Sequence, residues 1–232
     1  MILAGSLPLP LRAASQTKKD IVLTLSLTGA AAGAFWLDGS LRRPSGSGEY
    51  AGSPGLFKGQ HAAFDTLGTP GAQFGLAGAF YGAGWLTDSE KARRVGGIGA
   101  AALAVNGLAT WGLKSTLGRS RPFTNNGPGR WNGGSGYANA SFPSGHTSMA
   151  FTMAAVVAEE YESPAVDFMA YGLAGAVGAT RIHQDQHWAS DVVAGAALGL
   201  LVGKGISRWE RRAGWARFLY TDGRGLYVRV PF

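Results

Sequence analysis

Residues 95–113 read VGGIGAAALAVNGLATWGL, nineteen positions without a charged side chain. The stretch shows no strand-like alternation, and alanine and glycine dominate it. Apolar residues recur on all sides of a helix drawn through it, which predicts an α-helix buried all round, in a protein core or in lipid. The sequence therefore predicts an all-α fold, a six-helix bundle, because five further stretches of about helix length share this character. They are residues 21–37, 72–87, 147–158, 165–179 and 189–205.

The segments outside the predicted helices differ in composition. Residues 38–69 form a connection rich in Gly, Ser and Pro, with a short helix expected near His61–Leu67, and residues 123–142 form a second long loop. After Trp209, a Thr-Asp-Gly-Arg-Gly run between two apolar, aromatic segments predicts a short C-terminal β-hairpin. We expect a flexible N-terminal tail rather than a signal peptide, because Arg12 is the only charge in residues 1–16. The predicted divisions are an N-terminal tail at 1–19, a helical domain at 20–206 and a C-terminal tail at 207–232.

Composition excludes several classes of protein. Of the 232 residues, 46% are hydrophobic and only 15% are charged, which excludes a disordered chain. There is no cysteine, so disulfides, thiolate metal sites and a cysteine nucleophile are excluded. The net charge of +7 is compatible with nucleic acid, an anionic membrane surface or a phosphorylated substrate. We expect no nucleic-acid partner, because the chain has no basic block longer than three residues.

Glycines four residues apart recur along the predicted helices. This spacing places a smooth ridge on one helix face and lets two backbones approach closely, in a membrane or in a soluble bundle. The spacing does not separate these two settings, although we favour the membrane. The pairs and the series are Gly29/Gly33, Gly71/Gly75, Gly78/Gly82 and Gly195/Gly199/Gly203.

Three short polar clusters lie beside the predicted helices. If the helices run alternately up and down, all three fall at one end of the bundle, because the first follows the third helix, the second precedes the fourth, and the last lies between the fifth and sixth. The clusters are Lys114-x6-Arg121-Pro122, Pro143-Ser144-Gly145-His146 and Thr180-Arg181-x5-His187-x3-Asp191.

Each cluster also has an ordinary interpretation. Lys114, Arg119 and Arg121 follow an apolar helix and could interact with the negative end of its dipole, and Ser144 could be no more than a helix N-cap. His183, His187 and Asp191 would share one helix face, as the ligands of a metal ion do. The convergence of the three clusters at one end is what favours a functional site.

Five residues of the clusters suit the binding of an anion. Arg121 and Arg181 would grip phosphate oxygens bidentately, with Lys114 as a point charge. The backbone N–H groups of Ser144 and Gly145, at a helix N-terminus, would complete the cradle. The clusters therefore predict a phosphate-binding pocket.

The remaining three residues suit nucleophilic and acid–base chemistry. Asp191 lies one helical turn after His187, so its carboxylate would fix the tautomer of that imidazole. The other ring nitrogen of His187 would then be a lone-pair nucleophile, and His146 would protonate the leaving oxygen.

The motifs resemble those of a known family. Their order matches the signature of the type 2 phosphatidic acid phosphatase and vanadium haloperoxidase superfamily at every position but one, since Thr180 stands where the signature has serine. The runs FPSGHTS at 142–148 and HWASDVVAG at 187–195 are similar to bacterial members. The motifs span 114–191, and the helix layout extends the resemblance to about residues 20–206.

The resemblance implies an all-α bundle of the acid phosphatase and haloperoxidase type, and a phosphatase that needs no metal and no cofactor. The five anion-binding residues would hold the phosphoryl oxygens. His187 would attack phosphorus to form a phosphohistidine, Asp191 would orient it, and His146 would protonate the leaving group. Vanadate would be an inhibitor.

The resemblance also implies a class of substrate, and the distribution of Lys and Arg predicts a location. Membrane members act on lipid phosphates and polyprenyl pyrophosphates, so we expect a lipid or isoprenoid phosphate as substrate and a membrane as partner. Lys and Arg are commoner near the helix ends away from the motifs, which predicts a bacterial inner-membrane protein with its active site facing the periplasm.

Four alternatives stay open at this stage. Within the fold, they are a haloperoxidase with vanadate as its prosthetic group and a soluble periplasmic non-specific acid phosphatase. Outside it, they are a metal-dependent enzyme using His183, His187 and Asp191, and a non-enzymatic structural or transport bundle.

Overall fold

The structure is a computed structural model that describes residues 26, 29–30, 32–40, 61–134, 136–214, 219–221 and 226–228. The first helix, α1, is described over residues 32–40. The described part of the chain holds seven α-helices where the sequence predicted six, and the predicted tail at 1–19 lies outside it. The other six are α2 His61–Gly68, α3 Pro70–Leu86, α4 Glu90–Leu117, α5 Gly145–Tyr161, α6 Pro164–His183 and α7 Ala189–Ala213.

The additional helix is α2, which we expected only as a short helix within a long connection. Its separation from α3 has a local cause. The Thr69 hydroxyl accepts a hydrogen bond from the Ala72 N–H at 3.2 Å, and Pro70 occupies the first turn, so a new helix starts there. The Gln73 side chain donates to the Leu67 carbonyl at 2.7 Å, which satisfies one of the carbonyls at the end of α2.

Helix α5 is the central element, in contact with α2, α3, α4, α6 and α7. One part of the buried core joins Val95 and Leu103 of α4 to Met149 and Met153 of α5. The C-terminal end of α4 lies beside the start of α5, since a methyl group at Gly145 would lie 3.7 Å from Lys114 Cε. The end of α6 is at the same end of the bundle, because a short loop joins His183 to the start of α7 at Ala189. The three polar clusters of the sequence are all at this end.

Three glycines let α7 pack directly on the backbone of α5. A methyl group at Gly195 would lie 2.6 Å from the Ser144 carbonyl oxygen, and one at Gly199 would overlap the Ser148 carbonyl oxygen. The next glycine of the series, Gly203, meets α5 in the same way. These contacts follow one another in the same order along both helices, so α5 and α7 run parallel. The other glycine pairs of the sequence have no described atom within 4 Å of such a methyl position.

Replacing Gly199 by alanine is expected to destabilise the protein by about 1–3 kcal/mol, the usual cost of overpacking a filled interface. The control is Gly205→Ala, in the same helix, where a methyl group meets nothing within 4 Å. That control should be neutral or slightly stabilising, because alanine has the higher helix propensity. Thermal unfolding of the two purified variants measures the difference, and equal midpoints would contradict the close packing of α5 and α7.

The chain reverses sharply after α4. Gly118 ends the helix in the left-handed conformation, with φ of 59°, and a methyl group there would overlap the backbone of Gly133. The residues after Gly118 run beside a later part of the loop between α4 and α5, where the Ser120 N–H donates to the Arg130 carbonyl at 2.9 Å. This turn directs the chain from Arg119 to Arg121 back across the helix ends.

Two short strands are described near the C-terminus. Leu219–Thr221 pairs antiparallel with Leu226–Val228, with Tyr220 opposite Tyr227. The residues that would form the predicted Asp-Gly turn, 222–225, lie outside the described part of the chain.

Candidate active site

His187 and Asp191 form the centre of the site. Both side chains are buried, and His187 Nδ1 lies 3.6 Å from Asp191 Oδ2. Asp191 is held in place by three donors: the Trp188 N–H at 2.9 Å and the Ser141 hydroxyl at 2.5 Å on Oδ2, and the Arg119 guanidinium at 2.6 Å on Oδ1. The carboxylate is therefore fixed on the side of the imidazole that carries Nδ1.

Burial decides the charge of His187. Removal from water, together with the positive charges of Lys114 and Arg121, lowers the pKa of this imidazole to about 3, and Asp191 opposes the shift only in part. The imidazole is therefore neutral at neutral pH, with one ring nitrogen available as a lone-pair donor.

Lys114, in the last turn of α4, and Arg121, in the loop that follows α4, are held by carbonyl groups. Lys114 Nζ donates to the Ala140 carbonyl at 2.5 Å. Arg121 donates through Nε to the Tyr137 carbonyl at 2.8 Å and through Nη1 to the Gln186 side chain at 3.1 Å. These bonds fix both positive charges beside the loop that carries His187.

The start of α5 also belongs to this end of the bundle. Ser144 is the N-cap, and its backbone N–H donates to the Asp191 carbonyl at 2.9 Å. We had expected that N–H to bind an anion; in the structure it already has an acceptor, because α7 packs on the start of α5. A methyl group at Gly145 would lie 3.7 Å from Lys114 Cε, so the first turn of α5 is next to the lysine.

Arg181 and His146 face a residue that the motifs did not include. Asp65, on α2, forms an ion pair with Arg181 Nη1, and its Oδ1 lies 3.8 Å from His146 Nε2. The Gln184 side chain accepts a further hydrogen bond from Arg181 at 2.8 Å. The backbone of Arg181 reaches the nucleophile side of the site, since its carbonyl accepts the His187 N–H at 3.2 Å.

Arg119 is the second residue whose role the sequence did not reveal. The sequence predicts only that Arg119 is a cation near the end of a helix. In the structure its side chain is fully buried between two carboxylates, 2.6 Å from Asp191 Oδ1 and 2.7 Å from Asp38 Oδ2. Asp38 also accepts the Ser190 N–H at 2.9 Å. Arg119 is one of the unspecified positions of the first cluster and Asp38 lies outside all three, and no spacing in the sequence connects them.

The described residues offer no alternative metal centre. Among them, no three or more His, Asp or Glu side chains are grouped as a metal ion requires. His183, His187 and Asp191, the trio considered from sequence, do not form such a group. The site is instead a buried imidazole–carboxylate pair with the positive charges of Lys114 and Arg121 near it.

The structure is an all-α bundle with a buried imidazole–carboxylate pair and several cations at one end of its helices. Residues 96–215 match the sequence profile of the PAP2 superfamily, which is more than half of the chain. The chain therefore belongs to the PAP2 superfamily, and the family resemblance seen in the motifs is confirmed.

Three known proteins are similar to this chain, one in sequence and two in structure. The lipid A 1-phosphatase of Porphyromonas gingivalis is 41% identical over 93 residues, which are 39% of this chain and 18% of that protein. The chain thus matches less than a fifth of the length of this relative.

Two solved structures share the fold. LpxE from Aquifex aeolicus has a TM-score of 0.52 at 24% identity, covering 69% of this chain and 90% of its own. The transmembrane PAP2 type phosphatidylglycerolphosphate phosphatase from Bacillus subtilis has a TM-score of 0.54 at 17% identity, covering 83% and 94%. At these identities the two structures support the all-α fold alone.

Proposed function

We propose that this protein is a phosphatase that hydrolyses a phosphomonoester or pyrophosphate of a lipid or polyprenyl substrate without a metal ion. The observation that carries the proposal is the buried pair of His187 and Asp191 beside Lys114, Arg121 and Arg181. A neutral imidazole among fixed cations suits attack on an anionic phosphorus centre. Membership of the PAP2 superfamily and the activities named for its relatives support it.

The proposed reaction has two steps. Nε2 of His187 attacks phosphorus, the bond from phosphorus to the leaving oxygen breaks, and His146 gives that oxygen a proton. The neutral His146 then takes a proton from water, whose oxygen attacks the phosphohistidine and releases phosphate, restoring both imidazoles. Asp191 holds the Nδ1 side of the nucleophile and stabilises the positive charge that develops on it.

The cations bind the phosphoryl oxygens throughout these steps. Lys114 and Arg121 are fixed by loop carbonyls, so they need little reorganisation when a phosphate arrives. Arg181 completes the set from α6, with the first turn of α5 at Gly145 on the remaining side. Positive charge is thereby concentrated where negative charge accumulates in the transition state.

We further propose that the protein spans a bacterial inner membrane with this site facing the periplasm. Two described helices, α4 and α7, are long and apolar enough to cross a membrane, and less than half of each apolar window is buried inside the protein. Large apolar side chains point outward from the helices, including Leu108 and Trp111 of α4, Phe168 of α6 and Trp209 of α7. Such a surface suits lipid contact.

Phosphate release from lipid and isoprenoid phosphates by the detergent-purified protein tests the proposal. We expect turnover in the presence of a chelator, competitive inhibition by vanadate and no halide oxidation when vanadate and peroxide are supplied. Spheroplasts should hydrolyse an added impermeant phosphoester equally well before and after lysis. Activity that needs an added metal ion, or halide oxidation in place of phosphate release, would refute the proposed function.

A further inference from the structure

Helix α2 lies over the His146 and Arg181 side of the pocket, and close packing fixes it there. Its apolar residues Phe64 and Leu67 pack against the cluster formed by α5 and α6. At its end, a methyl group on Gly68 would come within 2.8 Å of His146 Cβ, so this helix approaches the histidine as closely as a glycine allows. Asp65 sits between these anchoring residues.

The position of α2 brings a negative charge to the phosphate-binding arginine. The Asp65 carboxylate is paired with Arg181 Nη1 and lies 3.8 Å from His146 Nε2. Its side chain is 40% exposed, whereas that of Arg181 is 7% exposed. The carboxylate is thus partly exposed to solvent and paired with a cation that is itself buried.

We propose that Asp65 occupies Arg181 in the resting protein and competes with the phosphoryl group for it, and so sets the affinity of the site for phosphorylated substrates and for product phosphate. This inference rests on the proposed function. A carboxylate and a phosphoryl group on one guanidinium repel each other, so a bound phosphate must displace the carboxylate or tolerate its charge. Asp65 weakens the binding of every phosphate, including the released product.

Calorimetric titration of the full-length, detergent-purified protein with inorganic phosphate tests this. Asp65→Asn keeps the size of the side chain and removes its charge, and is expected to bind phosphate about tenfold more tightly, as loss of a neighbouring like charge predicts. Asp65→Glu keeps the charge and should stay near the wild-type affinity. Asp65→Ser, with the charge also removed, should follow Asp65→Asn and covers the case in which that variant does not fold.

The matched control is Asp88→Asn. Asp88 also pairs with an arginine, Arg93, at 3.1 Å, but at the start of α4, away from the site, so its removal should leave phosphate affinity unchanged. If wild type binds phosphate and both charge-removing variants bind it equally or more weakly, Asp65 is not a competitor, and the phosphatase proposal stands. If neither wild type nor these variants bind phosphate, the proposed function falls together with this inference.

Discussion

Replacing His187 by alanine is expected to abolish phosphate release, with kcat lower by at least about 10³-fold, the loss typical of removing a nucleophile. Burial keeps this imidazole neutral, with a pKa of about 3, so the wild-type nucleophile stays unprotonated from neutral to mildly acidic pH. Single-turnover phosphate release measures the loss. Acid-labile label from a radioactive substrate should appear on the wild type and be missing from the variant.

The control for this variant is His183→Ala. His183 ends α6 four residues earlier and has no part in the proposed reaction, so its replacement should keep near wild-type turnover. Circular dichroism of both variants checks that the helices are intact. Normal turnover by a folded His187→Ala protein would overturn the assignment of the nucleophile.

Replacing Arg119 by leucine is expected to lower the free energy of unfolding by about 3–5 kcal/mol, as removal of one member of a buried ion pair does. The arginine lies between Asp38 and Asp191, both fully buried, and its loss leaves two carboxylates close together without a counter-charge. Since Asp191 also faces His187, turnover should fall in any protein that still folds. Chemical unfolding of the purified variant measures the change in stability.

A matched control is Arg211→Leu near the end of α7. Arg211 pairs with Glu159, but its side chain is 38% exposed, so the same substitution should cost no more than about 1 kcal/mol. If the Arg119 and Arg211 variants were equally stable, the buried Asp38–Arg119–Asp191 group would contribute no more to the free energy of unfolding than an exposed ion pair.

The order and type of the main helices were predictable because apolar, alanine-rich runs have few alternatives to helix. The first and last residues of these helices were less predictable. The uncharged run at 95–113 lies inside a longer helix, Glu90–Leu117, because the ends are set by a Ser89 cap and by Gly118. A hydropathy pattern detects the buried middle of such a helix, whereas capping residues set its length.

The pairing of His187 with Asp191 was also predictable from the sequence. The two residues are four positions apart, with His187 just before α7 and Asp191 in its first turn, so their proximity depends on local geometry. The same reasoning placed Lys114, Arg121 and Arg181 at one end of the bundle, because helix order and direction are properties of the chain. The contacts that each cation makes there could not be predicted from helix order and direction.

Only the tertiary structure decided which groups surround this pair. Arg119 meets Asp38 across 81 positions of sequence, and Asp65 reaches Arg181 from a short helix that carries no motif. The Ser144 N–H, expected to bind an anion, is taken by the Asp191 carbonyl. The sequence by itself determined the helices, their order and the chemistry of one end. The partners of each charge depended on how closely the helices pack, because contacts between distant segments leave no periodic pattern in the chain.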